Sequence, residues 1–286
     1  MCPVRVYWHS NRFWSADWTD MHHIRRGSGR PLLLVHGLGG NVRSFDTIID
    51  ALAAEREVIA VDLPGFGRTP ALDGEVSVPA LADALTAFLQ QHGLLGIDAV
   101  GTSMGARLVL ELARRGGVLG AVVSLDPGGF WRGWERHAFY GSIRASIALL
   151  RTLRPWLRRL AEQRASRTAL LLQFSARPWA LPPAPVAEEL CSFIDARSFD
   201  ALLHSLAYGQ VQAGAAAGAI RTPLVIGWGR HDRVCFARQA ARAQALFPDA
   251  RLHWFEHSGH LPHWDEPAAT ARLILASTAA RGTQTA

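Results

Sequence analysis

Six short apolar runs recur along this chain, each closed by a turn signal. They are RPLLLVHG (30–37), EVIAVDLPG (57–65), IDAVGTS (97–103), GAVVSLDPGG (120–129), TPLVIGWG (222–229) and RLHWFEHSG (251–259). In most of them the apolar residues are continuous rather than alternating, as suits strands buried on both faces of a parallel sheet. Helix-like stretches separate them, at about 42–54, 104–115, 236–247 and 266–279. Another opens at SVPA (77–80), where Ser77 is placed to cap the helix and Pro79 sits in its first turn. Alternating β and α elements of this kind predict an α/β fold, a mostly parallel sheet covered by helices on both sides.

The rhythm breaks once. Residues 130–215 hold no β-branched strand run and read as helices rich in Leu, Ala and Arg, punctuated by Pro155, Pro178 and LPPAP (181–185). This predicts a helical insertion between two strands, with a core made of residues 1–129 and 216–286. The C-terminal RGTQTA is expected to fray.

Composition excludes several other classes. Hydrophobic residues make up 49% of the 286, enough for a substantial core and too many for a disordered chain. Cys2, Cys191 and Cys235 are odd in number and lack CxxC spacing, which argues against a disulfide framework or cysteine zinc site and for a reducing compartment. The first residues show no signal-peptide pattern, and no run reaches the roughly 18 apolar residues of a membrane span. A cytoplasmic protein without stable membrane insertion is expected. All 30 basic residues are arginine and the net charge is +6, concentrated in 130–215 with eleven Arg against six acids. No nucleic-acid motif accompanies that charge, so no nucleic-acid partner is expected.

Chemistry enters at VGTSMGA (100–106). In the pattern G-x-S-x-G a sharp strand-to-helix turn lifts the serine above the sheet edge, and only small residues fit beside it. Gly101, Gly105 and Ala106 meet that demand around Ser103. A nucleophilic serine also needs oxyanion donors and a base. The N–H of Met104 would be one donor. The N–H of Leu38, in the glycine-rich HGLGG (36–40), would be the second. For the base, SGHLPHWDEP offers His257, His260 and His263; His260, just after Gly259, is the choice, with His263 helping to dock the loop. Gly259 and Pro262 interrupt any helix that would align these histidines on a metal, so no metal is expected. Two aspartates end neighbouring strands. Asp232 is preferred to Asp126 as the orienting acid, because Ser103, Asp232 and His260 then run in the order nucleophile, acid, histidine.

VHGLGG, DLPGFGRT, VGTSMGA, WGRHD and SGHLPHWDEP, in that order, resemble the α/β-hydrolase superfamily with a helical cap, over about residues 21–280. The resemblance implies an eight-stranded, mostly parallel sheet with residues 130–215 as cap. DLPGFGRT matches a structural loop, in which Asp62 organises a turn. A dinucleotide site is excluded because Pro70 replaces the third glycine. No cofactor is implied. Ser103 separates the chain from relatives with an aspartate nucleophile. Thr102 and Leu261 depart from the Asn and Trp typical of hydrolases that cleave carbon–carbon bonds. A carboxylesterase acting on a small-molecule ester is the most economical reading, beside a carbon–carbon hydrolase, a cofactor-free perhydrolase, or a ligand receptor that keeps the triad. Trp131, Trp134, Phe139 and Leu261 are the candidate substrate contacts, and Arg107 is a candidate ion-pair partner. The oligomeric state is not legible.

Overall fold

The computed structural model describes residues 21–279. The readings made for Cys2, the N-terminal segment and the RGTQTA tail lie outside these residues. In chain order the strands are β1 (His23–Arg26), β2 (Pro31–Val35), β3 (Glu57–Val61), β4 (Ile97–Thr102), β5 (Leu119–Leu125), β6 (Leu224–Gly229) and β7 (Arg251–Phe255). The helices are α1 (Ile49–Ala53), α2 (Val78–Gln91), α3 (Met104–Arg115), α4 (Glu135–Leu153), α5 (Leu157–Glu162), α6 (Arg164–Leu171), α7 (Pro183–Asp195), α8 (Phe199–Tyr208), α9 (Ala240–Leu246), α10 (Pro262–Asp265) and α11 (Pro267–Ser277).

The strands form one sheet in the order β1-β3-β2-β4-β5-β6-β7. Only β1 runs antiparallel, with His23 opposite Val61. The described residues thus hold seven strands where eight were expected. All six apolar runs became parallel strands. The seventh, β1 (HIRR), is a polar edge strand with no run to betray it.

Alternation within each strand divides the core. Leu33, Val35, Ile59 and Val61 point to one face, packed with α2, α3 and the inserted helices. Leu32, Leu34, Val58 and Ala60 point to the other, packed with α1 and α11. Helices on both faces explain why β2 and β3 show no polar alternation, whereas the edge strand β7 sets Arg251 and His253 between apolar residues. Ser77 caps α2 as its sequence predicts, accepting the Ala80 N–H at 3.3 Å. The helix expected at 42–54 divides instead into a 3₁₀ turn (Val42–Phe45) and α1. A side-chain cap at Asn41 starts the turn, and Asp62 Oδ1 holds the Val42 N–H at 2.7 Å.

Five helices, α4 to α8, lie between β5 and β6. Their connection leaves β5 at the edge where Ser103 stands and enters β6 from the opposite edge. Among the described residues no helix is long and apolar enough to cross a membrane.

Candidate active site

Ser103 follows β4 directly and opens α3. Its φ of 54° is in the left-handed region, rare for a residue with a side chain. The surrounding structure enforces it. The Ser103 N–H donates to the Leu125 carbonyl at 2.9 Å, while α3 must pass within contact of β2. A Cβ on Gly101 would lie 2.2 Å from the Gly105 oxygen, and one on Gly105 would lie 2.2 Å from the Val35 oxygen. Both glycines are therefore demanded by space, not by torsion.

His260 arrives from the loop after β7, its N–H donating to the Phe174 carbonyl at 2.8 Å. Its Nε2 lies 2.8 Å from Ser103 Oγ, and its Nδ1 lies 2.9 Å from Asp232 Oδ2. The other Asp232 oxygen accepts the N–H groups of Val234 and Cys235, at 2.7 and 2.9 Å. That oxygen is occupied, so Oδ2 is the one presented to the imidazole. Asp232 is 5% exposed and His260 2%. The histidine Nδ1–H donates to the carboxylate, which leaves Nε2 as acceptor for the serine hydroxyl. This arrangement can draw a proton from Ser103 Oγ.

Asp126 is also fully buried, but it does not meet the histidine. Its Oδ1 accepts the Gly229 N–H at 2.8 Å, and Oδ2 has no partner among the described residues. Burial, with Asp232 nearby, pushes its carboxyl well above the ordinary range. His263 is buried too, and desolvation reinforced by His260 lowers it to about 3, so its ring stays neutral. His257 is exposed; only its backbone is engaged, with Glu266.

The loop after β2 supplies the facing wall. His36 donates from Nδ1 to the Gly37 carbonyl at 2.7 Å and accepts the Leu63 N–H on Nε2 at 3.0 Å. Burial is the main cause lowering its basicity, which keeps the neutral tautomer those two bonds need. Gly37 lies against Ser103, where an added Cβ would sit 3.2 Å from the serine Cβ. The N–H groups of Leu38 and Met104 are taken by no carbonyl among the described residues. They are free to receive a negative oxygen.

Asp232, Cys235 and His260 bring potential ligand atoms within 4.8 Å of one another. Burial and the neighbouring Asp232 push the Cys235 thiol well up. A thiol held protonated is a poor metal ligand, and the carboxylate and imidazole already bond to each other.

A small cavity of about 60 Å³ opens from Ser103 and His260. Phe139 and Leu261 line it, as their sequence positions predict. Trp131 and Trp134 do not. Trp131 stacks behind Phe139 with ring centres 4.6 Å apart. Trp134 is 60% exposed, lying against Phe236 and beneath the Arg238 guanidinium. Their indoles serve packing because the chain must turn outward at Gly133 before α4. Sequence reasoning missed Phe199, Ser44 and Glu189 in the lining. Glu189 carried a signal: it falls on the buried side of α7 with Val186, Leu190 and Phe193. Among the described residues Arg107 makes no ion pair. It donates to the Leu206 and Gln210 carbonyls, and burial lowers it to about 10. Asp62 organises its turn as expected, holding the Val42 and Arg68 N–H groups and His22.

The family model described as Alpha/beta hydrolase family matches residues 32–273. An uncharacterized protein of Mycobacterium tuberculosis is 26% identical over 281 residues, spanning 91% of this chain and 80% of its own. Among solved structures, a thermophilic esterase from Thermogutta terrifontis superposes with a TM-score of 0.70 at 20% identity, over 89% of this chain and 91% of its own. The 2-hydroxy-6-oxo-6-phenylhexa-2,4-dienoate hydrolase of Rhodococcus sp. strain RHA1 gives 0.71 at 19% identity, over 91% and 95%. At these identities the structural likenesses speak for the fold. The family match, covering most of the chain, goes further: the chain belongs to the alpha/beta hydrolase family.

Proposed function

We propose that the chain is a serine hydrolase that cleaves carboxylic esters of small to medium, largely apolar substrates. The hydrogen-bonded run from Ser103 through His260 to Asp232, opening onto an apolar cavity, carries the reading. Its likeness to an esterase of the same fold supports it.

In the proposed mechanism His260 Nε2 takes the Ser103 proton as Oγ attacks the ester carbonyl. Asp232, anchored by two backbone donors, stabilises the imidazolium without itself becoming protonated. Charge on the carbonyl oxygen meets the Leu38 and Met104 N–H groups at the positive end of α3; each such donor is worth about 3 kcal/mol in the transition state. His260 then protonates the departing alcohol. Water, activated by the same imidazole, hydrolyses the acyl-enzyme. No step calls for a metal or cofactor. Residues 130–215 act as a cap: α4, α7 and α8 place Phe139, Phe193 and Phe199 over the nucleophile, where they exclude water and hold the acyl or alcohol chain.

The test is turnover of short p-nitrophenyl esters beside labelling by a serine-directed fluorophosphonate. Ser103→Ala should lose the label and about 10⁴-fold or more of kcat while keeping its circular-dichroism spectrum. Labelling of the wild type without turnover across a broad ester panel would instead mark a receptor built on this fold.

A further inference from the structure

The cavity wall holds one acid that the proposed mechanism does not use. Glu189, on α7, lines the same cavity as Ser103, and its carboxyl is buried. Its hydrogen-bond partner is the Ser44 hydroxyl, 2.8 Å from Oε1 and 3.1 Å from Oε2, so that a single proton serves both oxygens. A carboxylate offers about four acceptor positions, and the rest are empty here. Among the described residues no cation forms an ion pair with it, and Arg43 offsets its charge only from a distance. Arg43 pairs with Asp46 and Glu188 instead, and no arginine lines the cavity. A buried, nearly unpartnered carboxylate costs stability unless a ligand completes it.

The remaining wall suits one kind of ligand. Phe139, Phe174, Phe193 and Phe199 all face the space into which Glu189 opens. Aromatic faces attract a cation, and most strongly where water is excluded. A carboxylate among four phenyl rings offers charge, hydrogen-bond acceptors and quadrupoles to the same group.

We propose that Glu189 and these rings form a subsite for a protonated amine, so that the preferred esters carry an ammonium group on an otherwise apolar chain. The proposal rests on the ester-hydrolase reading only for the word ester; the amine subsite stands on its own geometry. An ammonium hydrogen donates to the free Glu189 oxygens, its alkyl groups lie on the phenyl rings, and the ester carbonyl reaches Ser103.

The pH dependence follows. Burial, helped by Asp46 and opposed by the Ser44 hydrogen bond and by Arg43, pushes Glu189 up to about 7. His260 and His263 are the other titratable groups on this cavity, and His263 stays neutral. The subsite gains its charge as pH rises through about 7, so KM for an amine ester should fall across that range while the amine itself remains protonated.

Glu189 also fastens α7 to the loop after β2, as does Ser192 through the Gly39 carbonyl. The test must separate the two roles. Each of two esters, one with a dimethylamino group on the acyl side and one with it on the alcohol side, is paired with the isostere in which CH replaces nitrogen. At pH 8 the wild type should favour the better amine ester by about tenfold or more in kcat/KM, and Glu189→Gln, which keeps an acceptor for Ser44, should bring that ratio to about one. A fastening role alone would change both members of a pair alike and leave the ratio standing. A ratio near one in the wild type, or one that survives in Glu189→Gln, overturns the proposal. Calorimetry of dimethylbutylamine on Ser103→Ala and on Ser103→Ala/Glu189→Gln reads the subsite without catalysis. Binding to the first and not to the second supports it even if no ester is cleaved, and absence of binding to the first overturns it.

Discussion

Two aspartates end adjacent strands, and their surroundings give them opposite character. Asp232 has its charge met by two backbone donors and by the His260 ring, whereas Asp126 has one donor and a bare oxygen. Asn at 232 would present an amide to Nδ1–H and turn the imidazole to the wrong tautomer. Asp232→Asn is expected to lower kcat by about 10⁴-fold. Asp126→Asn should stay within a few-fold, because Asp126 does not touch His260 and burial pushes its carboxyl toward the neutral form that an amide mimics. Their order in an ester-hydrolysis assay therefore decides the acid. Stability gives a second reading. A group whose carboxyl is raised in the folded state binds more protons there than in the unfolded chain, so it costs stability as pH climbs above about 4. Urea titrations should show Asp126→Asn more stable than wild type at pH 8, with the gap closing toward pH 4. In the sequence only the order nucleophile, acid, histidine favoured Asp232 over Asp126, since both follow a strand and only contacts with a distant loop distinguish them. Ser103 was legible because two flanking glycines reported a crowded turn. Trp134 was misleading because aromatic character does not reveal which way a loop faces.

The elbow between β4 and α3 is the most constrained element. A methyl group on Gly105 would press into the Val35 carbonyl, which belongs to a central strand and has nowhere to move. Gly105→Ala should cost about 3 kcal/mol or more in chemical denaturation, with activity lost in proportion. At the start of α4, Glu135 is held by Arg238 and Arg242, which ties the inserted helices to the segment after β6. The Arg242 hydrogen bond is the largest influence that lowers Glu135 to about 2. A depressed carboxyl adds stability above its unfolded value and loses it as pH falls, here between about 4 and 2. Glu135→Gln should lose about 2 kcal/mol at pH 7, less than a fully enclosed pair because Arg238 is half exposed, and the loss should vanish near pH 2. Strands of four or more apolar residues announced themselves in the sequence. The polar β1 did not, and the 42–54 stretch read as one helix because no glycine or proline marks the interruption at 46–48.

At the scale of the molecule, the sheet gathers one edge and the helices between β5 and β6 close over it. Residues more than 60 apart in sequence meet there: Leu38 from one loop, Ser103 from the elbow, Phe193 from α7 and His260 from the loop after β7. Motif order was enough to predict the sheet edge, because each motif must end a strand for its chemistry to work. The inserted helices were legible as helix and as charge, but not as a cavity wall, since which face of α7 turns inward depends on how it docks. The account stands on Ser103 being the atom that is acylated. The most direct measurement mixes the enzyme with a slowly deacylating p-nitrophenyl ester, quenches it in acid during the burst, and maps the mass of the acyl group by peptide sequencing. The account predicts one acyl group on the peptide carrying Ser103, and none in Ser103→Ala. Steady ester turnover with that peptide unmodified, or an acyl group carried by another residue, would contradict it.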